Sequence, residues 1–523
     1  MPFAKGAEGD DKTRAATILR NLIGFVSGGR RTARLLFAAT ICLGAAAALF
    51  GSAPPVALSE ATLPIGFTDT EVVGSGLSRP TAMALAPDGR IFITQQAGAL
   101  RVVESGQLLA APFLTLAVED SGERGLLGVT FDPNFPADPY VYLYYTVDSS
   151  PPHNRVSRFE ANGNLVVPGS ETVVLELNDL GVASHNGGAL HFGIDGRLYI
   201  AVGENGMAAS AQSLDNLLGK VLRINSDGSI PTDNPFYNAA IGQNRAIWAL
   251  GLRNPFTFDV QPGTGRIFIN DVGQGAWEEI NDGIAGSNYG WPETEGETTN
   301  PAYSSPLFAY GHGVGSTTGC AITGGAFYNP QVGQFPGDFT GDYLFADFCS
   351  GWIRRYDPAT DTADAFAGDI SAPVDLKVAP DGGLYYLGRN PDVLHRITYS
   401  TPIDTDGDGC LDSDEVGPDP QLGGQRDPLS VWDFMDQWTG SPFTRDRIIS
   451  IGDVGAVVNR FGASGNPGGD PLTPPPDMTG YHTSADRNGS IPGQDPWDLQ
   501  PPDGNVSIGD IGAAVVQFGH NCT

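Results

Sequence analysis

The sequence predicts an all-β protein: a six-bladed β-propeller followed by a small acidic calcium-loop tail with short helices. Three observations carry that expectation. A turn-plus-strand phrase occurs six times, no convincing amphipathic helix lies between the copies, and composition shifts sharply near residue 401. The copies are APDGRIFI (86–93), DPNFPADPYVYLYY (132–145), GIDGRLYIAV (193–202), QPGTGRIFI (261–269), FTGDYLFAD (339–347) and APDGGLYYL (379–387). Each joins a turn rich in Pro, Asp and Gly to a short β-branched or aromatic strand, at spacings of roughly 40–80 residues. One copy per four-stranded unit, closed radially, leaves only short protected edges. A large β-sandwich with Asp-Gly turns is the other architecture that would show this repeat.

Composition narrows the function classes. At 523 residues the chain is too long for one domain of about 100–200 residues. It is 41% hydrophobic, enough for a core, while 70 Gly and 40 Pro mark it as rich in turns. Sixty acids against 29 bases give a net charge of −31. Nucleic acid is excluded as a partner, because phosphate binding draws on clustered Lys and Arg.

The chain divides into residues 1–57, 65–400 and 401–523. In the first segment, Arg30, Arg31 and Arg34 precede a sixteen-residue apolar run, Leu35–Phe50, with small residues at Gly51, Ser52 and Ala53. That pattern reads as a secretory signal. A retained N-terminal anchor is the alternative, although a membrane span needs about 20 residues. The expectation is export to the periplasm, the cell surface or the medium. Beyond Cys42 in the signal, four cysteines allow three pairings. The simplest joins Cys320 to Cys349 and Cys410 to Cys522. No CxxC occurs, so zinc and thioredoxin chemistry have no support.

The third segment holds 19 acids and 5 bases in 123 residues. It opens with the run from Asp404 to Glu415. Asp404, Asp406 and Asp408 stand at positions 1, 3 and 5 of an EF-hand-type loop, Gly409 at 6, Cys410 at the backbone-ligand position 7, Asp412 at 9 and Glu415 at 12. Carboxylates at alternate positions meet on one side of a tight turn, and a final Glu can chelate bidentately, so these residues are expected to hold calcium. An acidic linker is the plain alternative. ISIGDVGAVVNRFG (449–462) and VSIGDIGAAVVQFG (506–519) are a near-repeat whose Ser450 and Ser507 begin capping-box-like helix starts. Asp486, Asn488, Gly489 and Asp495, with Asp503-Gly504, look like degraded calcium loops. The arrangement resembles dockerin-type modules, and a cell-surface or protein partner is expected through this tail.

The most informative run is HNGGALHFGIDGRLYIAVGE (185–204). His185 precedes a Gly-Gly turn and belongs to a loop, where an imidazole can act as a base; His191 falls inside the following strand and reads as structural. With GERGLLGVTFDPNF (122–135), GKVLRINSDGSIPTDNPF (219–236), LGLRNPFTFDV (250–260), EEINDGIAGSNYGWP (278–292) and ITGGAFY (322–328), it resembles the soluble quinoprotein glucose/sorbosone dehydrogenase family across roughly residues 65–400. The resemblance implies a six-bladed propeller that uses pyrroloquinoline quinone (PQQ) and calcium to oxidise the anomeric hydroxyl of an aldose or oligosaccharide to a lactone.

By position, His185 matches the general base, Glu204 the carboxylate that holds it, and Arg253 and Asn254 the groups beside the quinone. Gly273 and Gln274 match two backbone carbonyls on the cofactor's calcium, and Glu123 stands where the family has a glutamine. The cations that meet the cofactor's carboxylates are replaced by Cys349, Ala372 and Val374, with Arg354, Arg355 and Lys377 nearby in sequence. Two further readings follow. One is a non-catalytic propeller, without the cationic clamp, that binds a glycan or a protein. The other is a calcium-dependent lactonase-type hydrolase built on Glu123, Glu204 and Asp271.

Overall fold

The computed structural model describes residues 61–405, 410–416, 436–439, 445–468, 470–490, 499–500, 502–518, 520 and 522. The proposed signal region, Asp406, Asp408 and Asp495 lie outside the described residues. Six antiparallel sheets follow one another between Phe67 and Tyr399, and the expected six-bladed β-propeller is what the chain builds.

The innermost strands of the six blades are Pro80–Leu85, Leu126–Phe131, Leu190–Phe192, Pro255–Val260, Ile322–Phe327 and Pro373–Val378. The second strands are Ile91–Gln95, Tyr140–Val147, Leu198–Val202, Ile267–Asp271, Tyr343–Asp347 and Leu384–Gly388. Every copy of the repeated phrase is therefore the turn between a blade's first and second strands, followed by that second strand. In five of the six copies a turn glycine has positive φ, as at Gly89 (+88°) and Gly196 (+69°). A side chain disfavours that conformation, which is why Gly recurs in the phrase.

Second strands are sandwiched between the strands of neighbouring blades. Ile91–Gln95, Leu198–Val202, Ile267–Asp271 and Tyr343–Asp347 are buried at every position. Their apolar runs thus carry no alternation, as expected for strands covered on both faces. The ring closes with a strand from the N-terminal side. Phe67–Val73 pairs antiparallel with Val393–Tyr399, Phe67 opposite Tyr399, and completes the sixth blade. Phe67 locks this closure by packing its ring against Phe335, Phe366 and Tyr399 at centroid separations of 4.8, 5.0 and 4.9 Å.

In the C-terminal segment, helices Ile451–Asn459 and Ile508–Val516 both begin with complete capping boxes, Ser450 with Asp453 and Ser507 with Asp510. Both disulfides form in the simplest pairing, Cys320–Cys349 and Cys410–Cys522. No helix among the described residues is long and apolar enough to cross a membrane.

Candidate active site

Because the first two strands of a blade are antiparallel, the start of every innermost strand and the end of every second strand lie at the same mouth. Residues just before an innermost strand (Glu123, His185, Asn254, Ala372) and just after a second strand (Gln96, Glu204, Gly273, Cys349, Arg389) therefore gather there from all around the ring.

His185 sits half-buried in the loop before Leu190–Phe192 with φ +55°, a strained position for a non-glycine residue. Its backbone is tied at both ends. Its N–H donates to Glu123 Oε2 at 2.7 Å, and its carbonyl accepts the Asn205 N–H at 3.2 Å. The ring is held as firmly. Nδ1 lies 2.5 Å from Glu204 Oε1, and Nε2 lies 2.9 Å from Arg253 Nη2. A guanidinium only donates, so Nε2 accepts, and the network assigns the ring proton to Nδ1, facing Glu204. Glu204 is 2% exposed, and its Oε2 has no hydrogen-bond partner among the described residues.

Arg253 and Asn254 bridge the third and fourth blades. Their N–H groups donate to the two carboxylate oxygens of Asp271, at 2.9 and 2.6 Å. Arg253 Nη1 donates to the Val272 carbonyl at 2.9 Å, and the guanidinium lies over the Trp291 ring, 5.6 Å from its centroid. Asn254 Oδ1 accepts the Gly187 N–H at 3.1 Å, which fixes the turn beside His185. Burial, reinforced by the charge of Glu279, holds the Asp271 carboxyl well above the usual range. Glu279 itself is pushed up to about 7, chiefly by burial.

Gly273 and Gln274 begin a tight loop wrapped around one carboxylate. Glu295 Oε1 accepts the N–H groups of Gln274, Gly275, Ala276 and Trp277 at 2.8, 3.0, 2.9 and 3.2 Å. Burial pushes Glu295 up, but these donors outweigh it and hold its carboxyl below the usual value. The N–H groups from Gln274 to Trp277 are thus turned onto Glu295, while the Ala276 carbonyl accepts the His312 N–H at 3.1 Å.

The three replaced cation positions are structural. Cys349 is in the disulfide, and its N–H and that of Ser350 donate to Asp347 Oδ1. Ala372 has φ +42° and offers its carbonyl to the Arg389 N–H at 3.0 Å, while Val374 is buried in the innermost strand. Nor do the nearby arginines substitute. Arg354 is turned onto the Trp352 and Phe308 rings, and Arg355 pairs with Asp338 and Asp342. Lys377 does face the axial cavity, but its Nζ is 2.6 Å from Asp375 Oδ1. That cavity, about 110 Å³, is lined also by Glu123, Asn186, Gly187, His191 and Arg389. His191 lies in a strand and packs edge-on against Phe258 at 4.9 Å, as a structural residue should. In the sequence the one signal for Arg389 is its place two residues after the sixth copy of the repeated phrase.

The lactonase arrangement does not form. Among the described residues the only group of three or more such side chains with ligand atoms all within 4.8 Å of one another is Asp436, Asp446 and Asp453, so Glu123, Glu204 and Asp271 do not converge. Asp436 is 2% exposed, has an unpartnered Oδ1, and burial pushes it up to about 7. Around it the two helix starts repeat each other. Arg447 N–H donates to Asp436 Oδ2 and Gly504 N–H to Asp486 Oδ2, each at 2.6 Å. Gln437 N–H and Arg487 N–H donate to Asp453 and Asp510 respectively. In the 404–415 run, Asp412 accepts the Thr405 N–H and hydroxyl at 2.7 and 2.6 Å, Glu415 is fully buried at the end of the helical turn Asp412–Glu415, and Cys410 is bonded to Cys522.

Several known proteins are similar to this chain across the propeller. The chain is 31% identical over 354 residues to the aldose sugar dehydrogenase YliI of Escherichia coli, covering 64% of this chain and 94% of that protein. It is 30% identical over 265 residues to quinoprotein glucose dehydrogenase B of Acinetobacter calcoaceticus, covering 45% of this chain and 55% of that one. The apo crystal structure of the soluble aldose sugar dehydrogenase of Escherichia coli superimposes with a TM-score of 0.57 at 27% identity, over 64% of this chain and all of that one. Mouse Hedgehog-interacting protein is 30% identical over 213 residues, 35% of this chain and 30% of that protein. The family model described as Glucose / Sorbosone dehydrogenase matches residues 77–394, more than half of the sequence, and the chain belongs to that family.

Proposed function

We propose that the protein is an exported dehydrogenase, dependent on PQQ and calcium, that oxidises the anomeric hydroxyl of an aldose or oligosaccharide to the lactone. The observation that carries this reading is the His185–Glu204–Arg253 array at the mouth of the propeller. The residues fit the cofactor's chemistry: Arg253 and Arg389 both face the mouth, and neither guanidinium has a carboxylate partner among the described residues, as a planar polyanion requires. Bound PQQ would supply the two-electron acceptor for the hydride.

The protein's own contribution is proton handling and orientation. His185 Nε2 takes the proton of the anomeric hydroxyl, a task suited to an imidazole at neutral pH. Glu204 holds Nδ1–H, fixing the tautomer and stabilising the imidazolium that forms. Arg253, moving its Nη2 from the ring to the developing negative charge, stabilises it from a site already oriented by Val272 and Trp291. Asn254 keeps the His185 loop in place through Gly187, and the Gly273 and Gln274 carbonyls would ligate calcium, a hard cation that prefers oxygen.

Export is supported by the apolar run at 35–50 and by two disulfides, which persist in oxidising compartments. The tail is read as a dockerin-like calcium module offering a surface or protein contact. Asp404→Ala and Asp408→Ala should each remove a calcium-dependent rise in the tail's melting temperature while the propeller melts as before; melting like the parent with and without calcium would remove the loop from the reading.

The direct test of the enzyme is calorimetric titration of the purified, calcium-loaded chain with PQQ, then a dye-reduction screen across aldoses. Micromolar or tighter binding with turnover of one sugar supports the dehydrogenase. Absence of binding favours the second reading, a propeller that binds a glycan or protein. That reading draws on Cys349, Ala372 and Val374 at the cation positions and on the likeness to a Hedgehog-interacting protein.

A further inference from the structure

We propose that Arg389 is the carboxylate anchor of the candidate active site, gripping an acidic group on the side of the axis opposite Arg253. The proposal rests on the site assignment above.

Arg389 follows the second strand of the sixth blade, Leu384–Gly388, and its N–H donates to Ala372, which fixes its backbone at the mouth. Arg253 lies between the third and fourth blades; Arg389 and its partner Gln96 lie where the sixth blade meets the first. In a ring of six blades those two junctions are diametrically opposed. The two guanidiniums therefore stand across the axial mouth from one another. Arg389 also lines the same cavity as Glu123, Asn186 and Gly187, the residues next to His185.

Its partner is the significant feature. Nη2 donates to Gln96 Oε1, a neutral amide 1% exposed and itself pinned by donation to the Gly122 and Arg124 carbonyls at 2.7 and 2.8 Å. Several arginines of this acidic chain meet carboxylates, Arg90 with Asp88, Arg124 with Glu119, Arg155 with Glu176 and Arg223 with Asp195 and Asp233, while others such as Arg101 donate to backbone carbonyls away from the axial cavity. Burial, with repulsion from Arg79, holds Arg389 below the usual guanidinium value, and Asp392 only partly compensates. A cation kept charged in a cleft beside a neutral amide is half of an ion pair. The planar fork of a guanidinium matches a carboxylate in bidentate geometry, so the missing half is a carboxylate. Two ligands of this site would bring one: the quinone cofactor, or an acidic sugar such as a uronate.

The experiment is calorimetric titration of the full calcium-loaded chain, and of its Arg389→Gln and Arg389→Lys variants, with PQQ and separately with glucuronate and glucose. Melting curves establish that each variant is folded, and the lysine variant serves if the glutamine variant is not. If the anchor holds the cofactor, Arg389→Gln weakens PQQ binding about 10- to 100-fold, the loss of a charge-assisted contact, and Arg389→Lys falls between. If it holds the substrate, PQQ affinity is unchanged and the preference for glucuronate over glucose disappears. Should the parent bind glucuronate but not PQQ, and Arg389→Gln lose that binding, the anchor stands and the quinoprotein reading falls. Unchanged affinities for PQQ and glucuronate in both variants, or a parent that binds neither, overturn the anchor.

Discussion

Arg253 Nη2 lies 2.9 Å from His185 Nε2, so a guanidinium already covers the lone pair with which the imidazole would take a proton. In the proposed mechanism the base would be masked at rest and would become available once Arg253 found another acceptor, which would link occupation of the mouth to activation of the base.

The first prediction follows from that contact. Arg253→Met uncovers His185 but removes the donor that stabilises developing charge, so kcat/KM for the oxidised sugar should fall about 10²- to 10³-fold. The check is dye-linked turnover. A variant faster than the parent would mean that Arg253 only masks the base.

Glu204→Gln tests the other side of the ring. A neutral amide keeps the shape but does not fix Nδ1–H or balance the imidazolium, and kcat should drop about 10³- to 10⁴-fold. Because Glu204 Oε2 is buried with no hydrogen-bond partner among the described residues, the melting temperature should not fall with the activity. Loss of both together would point to a structural role.

Glu295 organises the loop that presents the Gly273 and Gln274 carbonyls. Glu295→Ala frees four N–H groups that the carboxylate now gathers, and calcium affinity at this loop should weaken about 10- to 100-fold, as for other residues that orient metal ligands. Calcium titration of parent and variant gives the answer, and equal affinities would separate this loop from calcium binding.

Asp259 supplies a pH dependence. It lies half-buried on the innermost strand of the fourth blade, and desolvation raises its carboxyl from 3.8 to about 6, only partly opposed by the charge of Lys377. The folded state thus holds a proton that the unfolded state has released between those values. Stability contributed by Asp259 is complete below about pH 4 and is lost as pH rises to 6. The parent-minus-Asp259→Asn difference in unfolding free energy should therefore decline by up to about 3 kcal/mol across that window. Denaturant melts at four pH values measure it; a flat difference would show that the site relaxes or hydrates.

The blades were legible in the sequence because five of the six carry a turn glycine at positive φ and each turn leads into an apolar, largely buried second strand, and both constraints are local. His185, Glu204 and Arg253 were readable through short motifs, and the structure brings all three into contact. Arg389 and Glu295 were not readable. Their roles depend on Gln96 and on the N–H groups of residues 274–277, partners far away in sequence or without side-chain character. Arg354 and Arg355 show the converse: they stand near the replaced cation positions in sequence, yet strand alternation and the rings of blades four and five turn them away from the mouth.

The strand that seals the ring is among the first of the propeller to be synthesised, and its partner is the last. Until residue 399 has emerged, Phe67–Val73 has no sheet to join, and the edge formed by Val393–Tyr399 is briefly open to other chains. Completion thus waits on a contact of the highest sequence separation in the ring, the kind that slows folding and exposes intermediates to aggregation. A nascent chain stalled before the sixth blade should accordingly behave as an open arc in need of chaperone protection, and a change at Phe67 should harm yield more than it harms the activity of molecules that have closed.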